Sequence, residues 1–212
     1  LDRDRFRALT RRDRLRDVLD GIAAAAASDL RPLKLNAVAM RGVNDDHLVE
    51  LVEFALAHDA QLRFIEQMPL DAGHTWDRAS MVTRSEILDA LGARWTLTPV
   101  PARGGAPAEK WALDGGPATV GVIASVTAPF CGQCDRLRLT ADGQLRNCLF
   151  STGEYDLLPV LRGTDAGAAD GRRRWRATRQ SRTGMRVSSQ ARRSAKTSAA
   201  IVSLKISWRA PG

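Results

Sequence analysis

All three cysteines of the chain lie in one short stretch, Cys131, Cys134 and Cys148, with the spacing C-x2-C-x13-C. Arg136 and Arg138 follow the second cysteine at alternate positions. Ala141-Asp142-Gly143 reads as a three-residue hairpin loop, with glycine able to take the left-handed position. That register pairs Thr140 with Gln144, Arg138 with Arg146 and Arg136 with Cys148. It puts Arg136, Arg138 and Cys148 on one face, with Cys131 and Cys134 in the turn that enters the hairpin. A two-residue Asp-Gly loop would pair Leu137 with Cys148 and turn that cysteine to the other face. Three soft thiolates beside two guanidinium groups suggest a metal centre that faces an anion. Structural zinc wants a fourth ligand, and His47, His58 and His74 are all far upstream. An iron–sulfur cluster on three cysteines keeps one iron open. Unligated, reduced thiols are the plain alternative.

An odd cysteine count argues against a closed disulfide framework and for reduced thiols in a cytoplasmic setting. No apolar run approaches a membrane span, and the start, Leu1-Asp2-Arg3-Asp4, is not a signal peptide. The net charge of +8 is unevenly distributed. Residues 171–212 hold 12 of the 32 basic residues and none of the 24 acidic ones. The rest of the chain is therefore mildly acidic, and the overall basicity is not a nucleic-acid footprint of the fold.

Residues 3–28 read as two helices, the second with the apolar stripe Leu15, Val18, Leu19 and Ile22. After Pro32, residues 33–40 read as a strand with Leu33 and Leu35 on one face and Lys34 and Asn36 on the other. A helix over 44–58 is expected, with Asn44 as its N-cap. A second strand over 61–66 holds Arg63. Helix, strand, helix, strand predicts α/β class with a parallel sheet. Residues 69–81 read as an irregular loop. Thr83 with Glu86 three residues later is a capping box for a helix through Leu91. After Arg94 the pattern changes to short strands at 95–100, 109–114 and 118–125, read as a small, mostly antiparallel unit. A short helix near 154–162 is expected, with Pro159 tolerable only in a first turn. Beyond Gly163 the Arg-, Ser- and Ala-rich sequence predicts disorder.

At the cysteine stretch the chain resembles a known family. The run Phe130-Cys131-x-x-Cys134-x-Arg136-Leu137-Arg138-Leu139-Thr140-x-Asp142-Gly143, followed by Cys148-Leu149-Phe150, is similar to that of molybdenum cofactor biosynthesis protein A, the radical S-adenosylmethionine GTP 3′,8-cyclases. Lys34-Leu35-Asn36, Gly42-Val43-Asn44-Asp45 and Arg63-Phe64-Ile65-Glu66-x-Met68 match in the same order, over about residues 2–165. The resemblance implies the C-terminal part of an incomplete TIM-like (β/α) barrel over 1–94. It implies a small α+β cluster-binding domain over 95–165, leaving a basic tail over 166–212.

Cys131, Cys134 and Cys148 are implied as ligands of a [4Fe-4S] cluster whose open iron meets the guanine base. Lys34, Arg63, Arg136, Leu137 and Arg138 are implied as GTP-binding residues, and Met68 as a contact of S-adenosylmethionine. Further expectations are a homodimer, a separately encoded N-terminal half and the next enzyme of the pathway as partners, with no membrane and no nucleic acid. A deoxyadenosyl radical would take a ribose hydrogen, and a ring would close onto guanine carbon 8.

Two departures from the family pattern qualify this. The family's radical-generating C-x3-C-x2-C is not in these residues, and the chain ends Arg209-Ala210-Pro211-Gly212 where the family ends Gly-Gly. The expectation is a fragment, truncated at the front and shifted in frame at the back. Two readings stand beside it. One is a non-catalytic remnant that binds GTP or a cluster, and the other a zinc module with a nucleic-acid-binding tail.

Overall fold

Leu33–Ala39 (β1) and Ala60–Glu66 (β2) alternate apolar and polar residues as far as Ala37 and Phe64, and the two strands pair in parallel from Leu33 opposite Ala60 to Ala39 opposite Glu66. The computed structural model describes residues 1–70, 76–101, 104–150 and 153–162. They fall into two compact units, Leu1–Pro129 and the residues from Phe130 onward.

In the first unit, helices Arg3–Thr10 (α1) and Leu15–Ala26 (α2) precede β1, and Leu48–Ala57 (α3) connects β1 to β2. Arg84–Gly92 (α4) follows β2, then strands Leu97–Val100 (β3), Glu109–Leu113 (β4) and Thr119–Ile123 (β5). They form one five-stranded sheet in the order β1-β2-β5-β4-β3. β1, β2 and β5 are parallel, and β4 runs antiparallel to both its neighbours. The fold is therefore α/β with a mixed sheet. The change of sequence pattern after Arg94 does not coincide with a change of sheet: β5 inserts beside β2, and the compact units divide at Pro129 instead. The antiparallel character expected of these strands is present, but only at one side of the shared sheet.

One face of the sheet carries Leu33, Leu35, Leu62, Phe64, Val120 and Val122, all buried together with Val52 of α3 and Ile87 and Leu91 of α4. Removing this apolar area from water is the main force holding helices to sheet. Thr83 caps α4 with the full capping box that the sequence predicts. The expected N-cap at Asn44 is corrected. Its side chain accepts from Met40 N–H (2.8 Å) and donates to the Val38 carbonyl (2.9 Å), so it closes the turn after β1. With that amide engaged, the helix starts one turn later, with His47 at its N-cap.

The capping box sets a pH dependence. The Thr83 backbone N–H, then the Arg41 guanidinium and the Thr83 hydroxyl, hold the Glu86 carboxyl down at about 2. A depressed carboxylate stabilises the fold above its ordinary pKa and loses that contribution as pH falls towards 2. The Glu86 side chain is 43% exposed, so screening by solvent limits the effect to about 1 kcal/mol, that of a helix cap. Glu86→Gln should lower stability by that amount at pH 7, and the difference from the unsubstituted chain should vanish in denaturation curves near pH 2.

The second unit is built on the cysteine hairpin. Arg138–Leu139 (β6), Gln144–Arg146 (β7) and Tyr155–Asp156 (β8) form an antiparallel sheet in that order. Leu158–Leu161 (α5) follows. The helix expected near 154–162 is thus shorter: Tyr155 and Asp156 pair with β7, and Pro159 falls in the first turn, where its missing N–H costs nothing. Gly143 has φ +83°, and a Cβ there would lie 2.7 Å from the Leu158 side chain. The expected disorder of residues 166–212 lies outside the described residues, as does 71–75 of the loop expected at 69–81.

Candidate functional site

The sheet face opposite the helical core is polar along part of the strands, with Val38, Ile65 and Ile123 forming an apolar row beyond. Alternation puts Lys34 and Asn36 of β1, Gln61 and Arg63 of β2, and Thr119 and Gly121 of β5 on it. Arg63 stands between Asn36 and Gly121 in the register. Its Nε–H donates to Asn36 Oδ1 at 2.9 Å. A Cβ on Gly121 would lie 2.8 Å from Arg63 Cγ, so the side chain depends on that glycine for its position. Burial pushes the Arg63 guanidinium down from its ordinary value, although an arginine remains cationic at neutral pH. Among the described residues no carboxylate pairs with Arg63. The acidic residues of β2 and β4, Glu66 and Glu109, lie on the helical face. A half-buried cation without a counter-charge is a natural anion contact.

Glu66 closes the end of β2. It is fully buried and accepts from Arg84 N–H (2.8 Å), Val126 N–H (2.8 Å), Thr127 N–H (2.9 Å) and the Thr127 hydroxyl. Arg84 is the first residue of α4, so the carboxylate also meets the positive end of that helix. One side chain thereby joins β2, α4 and the turn that leaves β5 for the cysteine stretch.

In the second unit the hairpin has the register of the three-residue loop: Arg138 pairs with Arg146, Leu139 with Leu145, and Thr140 N–H donates to the Gln144 carbonyl at 2.9 Å. Arg136 and Arg138 are half-buried, while Leu137 and Leu139 are 54% and 66% exposed. The arginines thus turn inward and the leucines outward. Arg136 Nε–H donates to Cys134 Sγ at 3.3 Å, and its guanidinium lies 4.8 Å from the Phe130 ring centroid. Phe150 N–H donates to Cys148 Sγ at 3.4 Å. Cys131 is exposed.

The donor chemistry fits an iron–sulfur cluster: three soft sulfurs, two of which accept N–H bonds of the kind that tune such clusters. The geometry does not yet form a ligand set. Among the described residues no three His, Cys, Asp or Glu side chains converge as a metal site. A thiolate set is assembled by its metal and is rarely preformed without it.

The structure therefore places Lys34 with Arg63 on the polar sheet face, and Arg136 with Arg138 on the inward face of the hairpin. Leu137 turns the other way. Met68 lies two residues beyond β2, half-buried, its carbonyl accepting from Leu70 N–H. The sequence motifs contain Asn36 and Glu66 but assign them no role, and Gly121 lies outside them. The period-two register that pairs Asn36 with Arg63 was a usable signal. The partners of Glu66, about twenty and sixty residues away along the chain, left none.

The family model described as Molybdenum Cofactor Synthesis C matches residues 60–185. The chain is 57% identical over 175 residues to the GTP 3',8-cyclase of Streptomyces coelicolor, covering 82% of this chain and 51% of that protein. It is 54% identical over 175 residues to the GTP 3',8-cyclase of Mycobacterium marinum, with 80% and 48% covered. It is likewise 54% identical over 168 residues to the GTP 3',8-cyclase 2 of Mycobacterium tuberculosis, with 77% and 47% covered. The chain spans about half the length of these curated relatives.

Proposed function

Because the chain belongs to the Molybdenum Cofactor Synthesis C family, we propose that it forms the substrate-holding part of a GTP 3′,8-cyclase. The observation that carries this reading is the sheet face on which Lys34 and Arg63 stand together, with Arg63 held by Asn36 Oδ1 at 2.9 Å. GTP bears about four negative charges near neutral pH, and binding it needs converging cations. Lys34 and Arg63 are assigned to the nucleotide, with Asn36 holding the Arg63 fork in place. Arg138 is assigned to the same substrate. Arg136, whose Nε–H donates to the Cys134 sulfur, is assigned to it as well.

Cys131, Cys134 and Cys148 are the residues that would hold a [4Fe-4S] cluster. When bound, it supplies an iron with an open position for the guanine base. Fixing a base in this way is what a protein contributes most to a radical ring closure. Met68 is assigned to S-adenosylmethionine. On this reading β1 and β2 are strands of the C-terminal part of a TIM-like barrel. The 212 residues contain no C-x3-C-x2-C, so the task assigned here is to hold substrate, and radical generation is not assigned to it.

Anaerobic reconstitution of the full chain with iron and sulfide, followed by calorimetric titration with GTP, tests the reading. About four irons per chain, absorbance near 400 nm and saturable GTP binding are expected. One zinc per chain without sulfide, together with no GTP binding, would overturn it.

A further inference from the structure

The polar sheet face extends past Arg63 to a residue that none of the family motifs contains. Gly121 of β5 is opposite Arg63 on one side and Lys110 of β4 on the other. Asn36, Arg63, Gly121 and Lys110 thus form one row across four strands, all on the face away from the helical core. Strand spacing puts the Arg63 and Lys110 backbones about 10 Å apart, with a buried glycine between them over which the Arg63 and Ala108 side chains lie.

Three further observations concern Lys110 itself. It is exposed, and its side chain makes no hydrogen bond or ion pair among the described residues. Its neighbour Glu109 is paired with Arg84 on the opposite face (2.6 Å), so no carboxylate of the strand neutralises it. β4 is an interior strand, so the lysine is not explained as protection of a sheet edge. Finally, residues 1–170 use lysine only twice against eighteen arginines, at Lys34 and Lys110. Both lie on this face. A lysine offers a mobile, compact point charge where an arginine offers a planar fork, and two lysines flanking one fixed arginine suit a flexible chain of phosphates.

Building on the proposed binding of GTP, we infer that Lys110 is a further substrate-binding residue that contacts the phosphate chain across Gly121 from Arg63. Lys34, Arg63 and Lys110 then make one anion-binding group on this face of the sheet.

Calorimetric titration of the full chain with GTP and with inorganic tripolyphosphate, at two salt concentrations, tests this. Lys110→Ala and Lys110→Met should each weaken both ligands by about tenfold, the loss of one charge-assisted contact, and should flatten the salt dependence. Arg16→Ala, on the exposed side of α2, removes the same charge elsewhere and should leave affinity unchanged. Unfolding curves check that each variant is folded. Should Lys110→Met bind both ligands like the unsubstituted chain, or Arg16→Ala weaken them equally, the assignment of Lys110 is overturned while the binding of GTP stands. Should the unsubstituted chain bind neither ligand, the proposed function fails and this inference with it.

Discussion

Replacing Glu66 by alanine is expected to destabilise the chain by about 3–5 kcal/mol, the cost of breaking a buried charged network at one partner. Three backbone N–H groups and one hydroxyl converge on this buried carboxylate, and alanine would leave all four without their acceptor. Glutamine keeps the shape and one oxygen but turns an NH2 group towards N–H donors. Glu66→Gln should therefore fall between, at about 1–3 kcal/mol. Urea denaturation followed by tryptophan fluorescence measures both. Equal stability of Glu66→Ala and the unsubstituted chain would show that the network contributes nothing to folding.

The largest effect on ligand binding is expected at Arg63. Arg63→Met should weaken GTP by about a hundredfold, as expected for the loss of a paired, charge-assisted contact. Stability should change by only about 1 kcal/mol, because the main group left behind is the Asn36 oxygen. Arg63→Lys keeps the charge but loses the planar fork and its bond to Asn36, and should recover only part of the affinity. Gly121→Ala tests the same arrangement without touching the arginine. Its Cβ would sit 2.8 Å from Arg63 Cγ and 3.2 Å from the Ala108 Cβ, so the side chain must move and affinity must drop. Titration calorimetry on folded variants reads all three. Unchanged GTP affinity in Arg63→Met would remove the arginine from the site.

Local features of this protein were legible in its sequence because their causes are local. The Ala141-Asp142-Gly143 loop determines the hairpin register through a glycine at positive φ. Thr83 and Glu86 announce the start of α4 by their spacing. Alternation in β1 and β2 separates Leu33 and Leu35 from Lys34 and Asn36. What escaped the reading was set by distant partners. Nothing near Thr119–Ile123 reveals that this strand lies between β2 and β4 and not at the end of a separate sheet. Asn44 has every property of a helix cap, yet the turn after β1 uses its amide first. Tyr155 and Asp156 are taken by β7 before a helix can include them. At the site, the motif letters included Lys34, Asn36 and Arg63 but assigned Asn36 no role, and they did not reach Gly121, which makes room for Arg63. Lys110 escaped for the same reason: its place beside Arg63 exists only once β5 is inserted between them.

That insertion bears on how the protein is made. β2 is synthesised before α4, β3 and β4, and its free edge must wait for β5, the last strand of the sheet to emerge. Pairing between segments so far apart in the chain is slow and leaves strand edges exposed while it is pending. The turn that ties Val126 and Thr127 to Glu66 follows β5 directly. The growing chain therefore completes its five-stranded sheet just before the cysteine stretch follows it out of the ribosome.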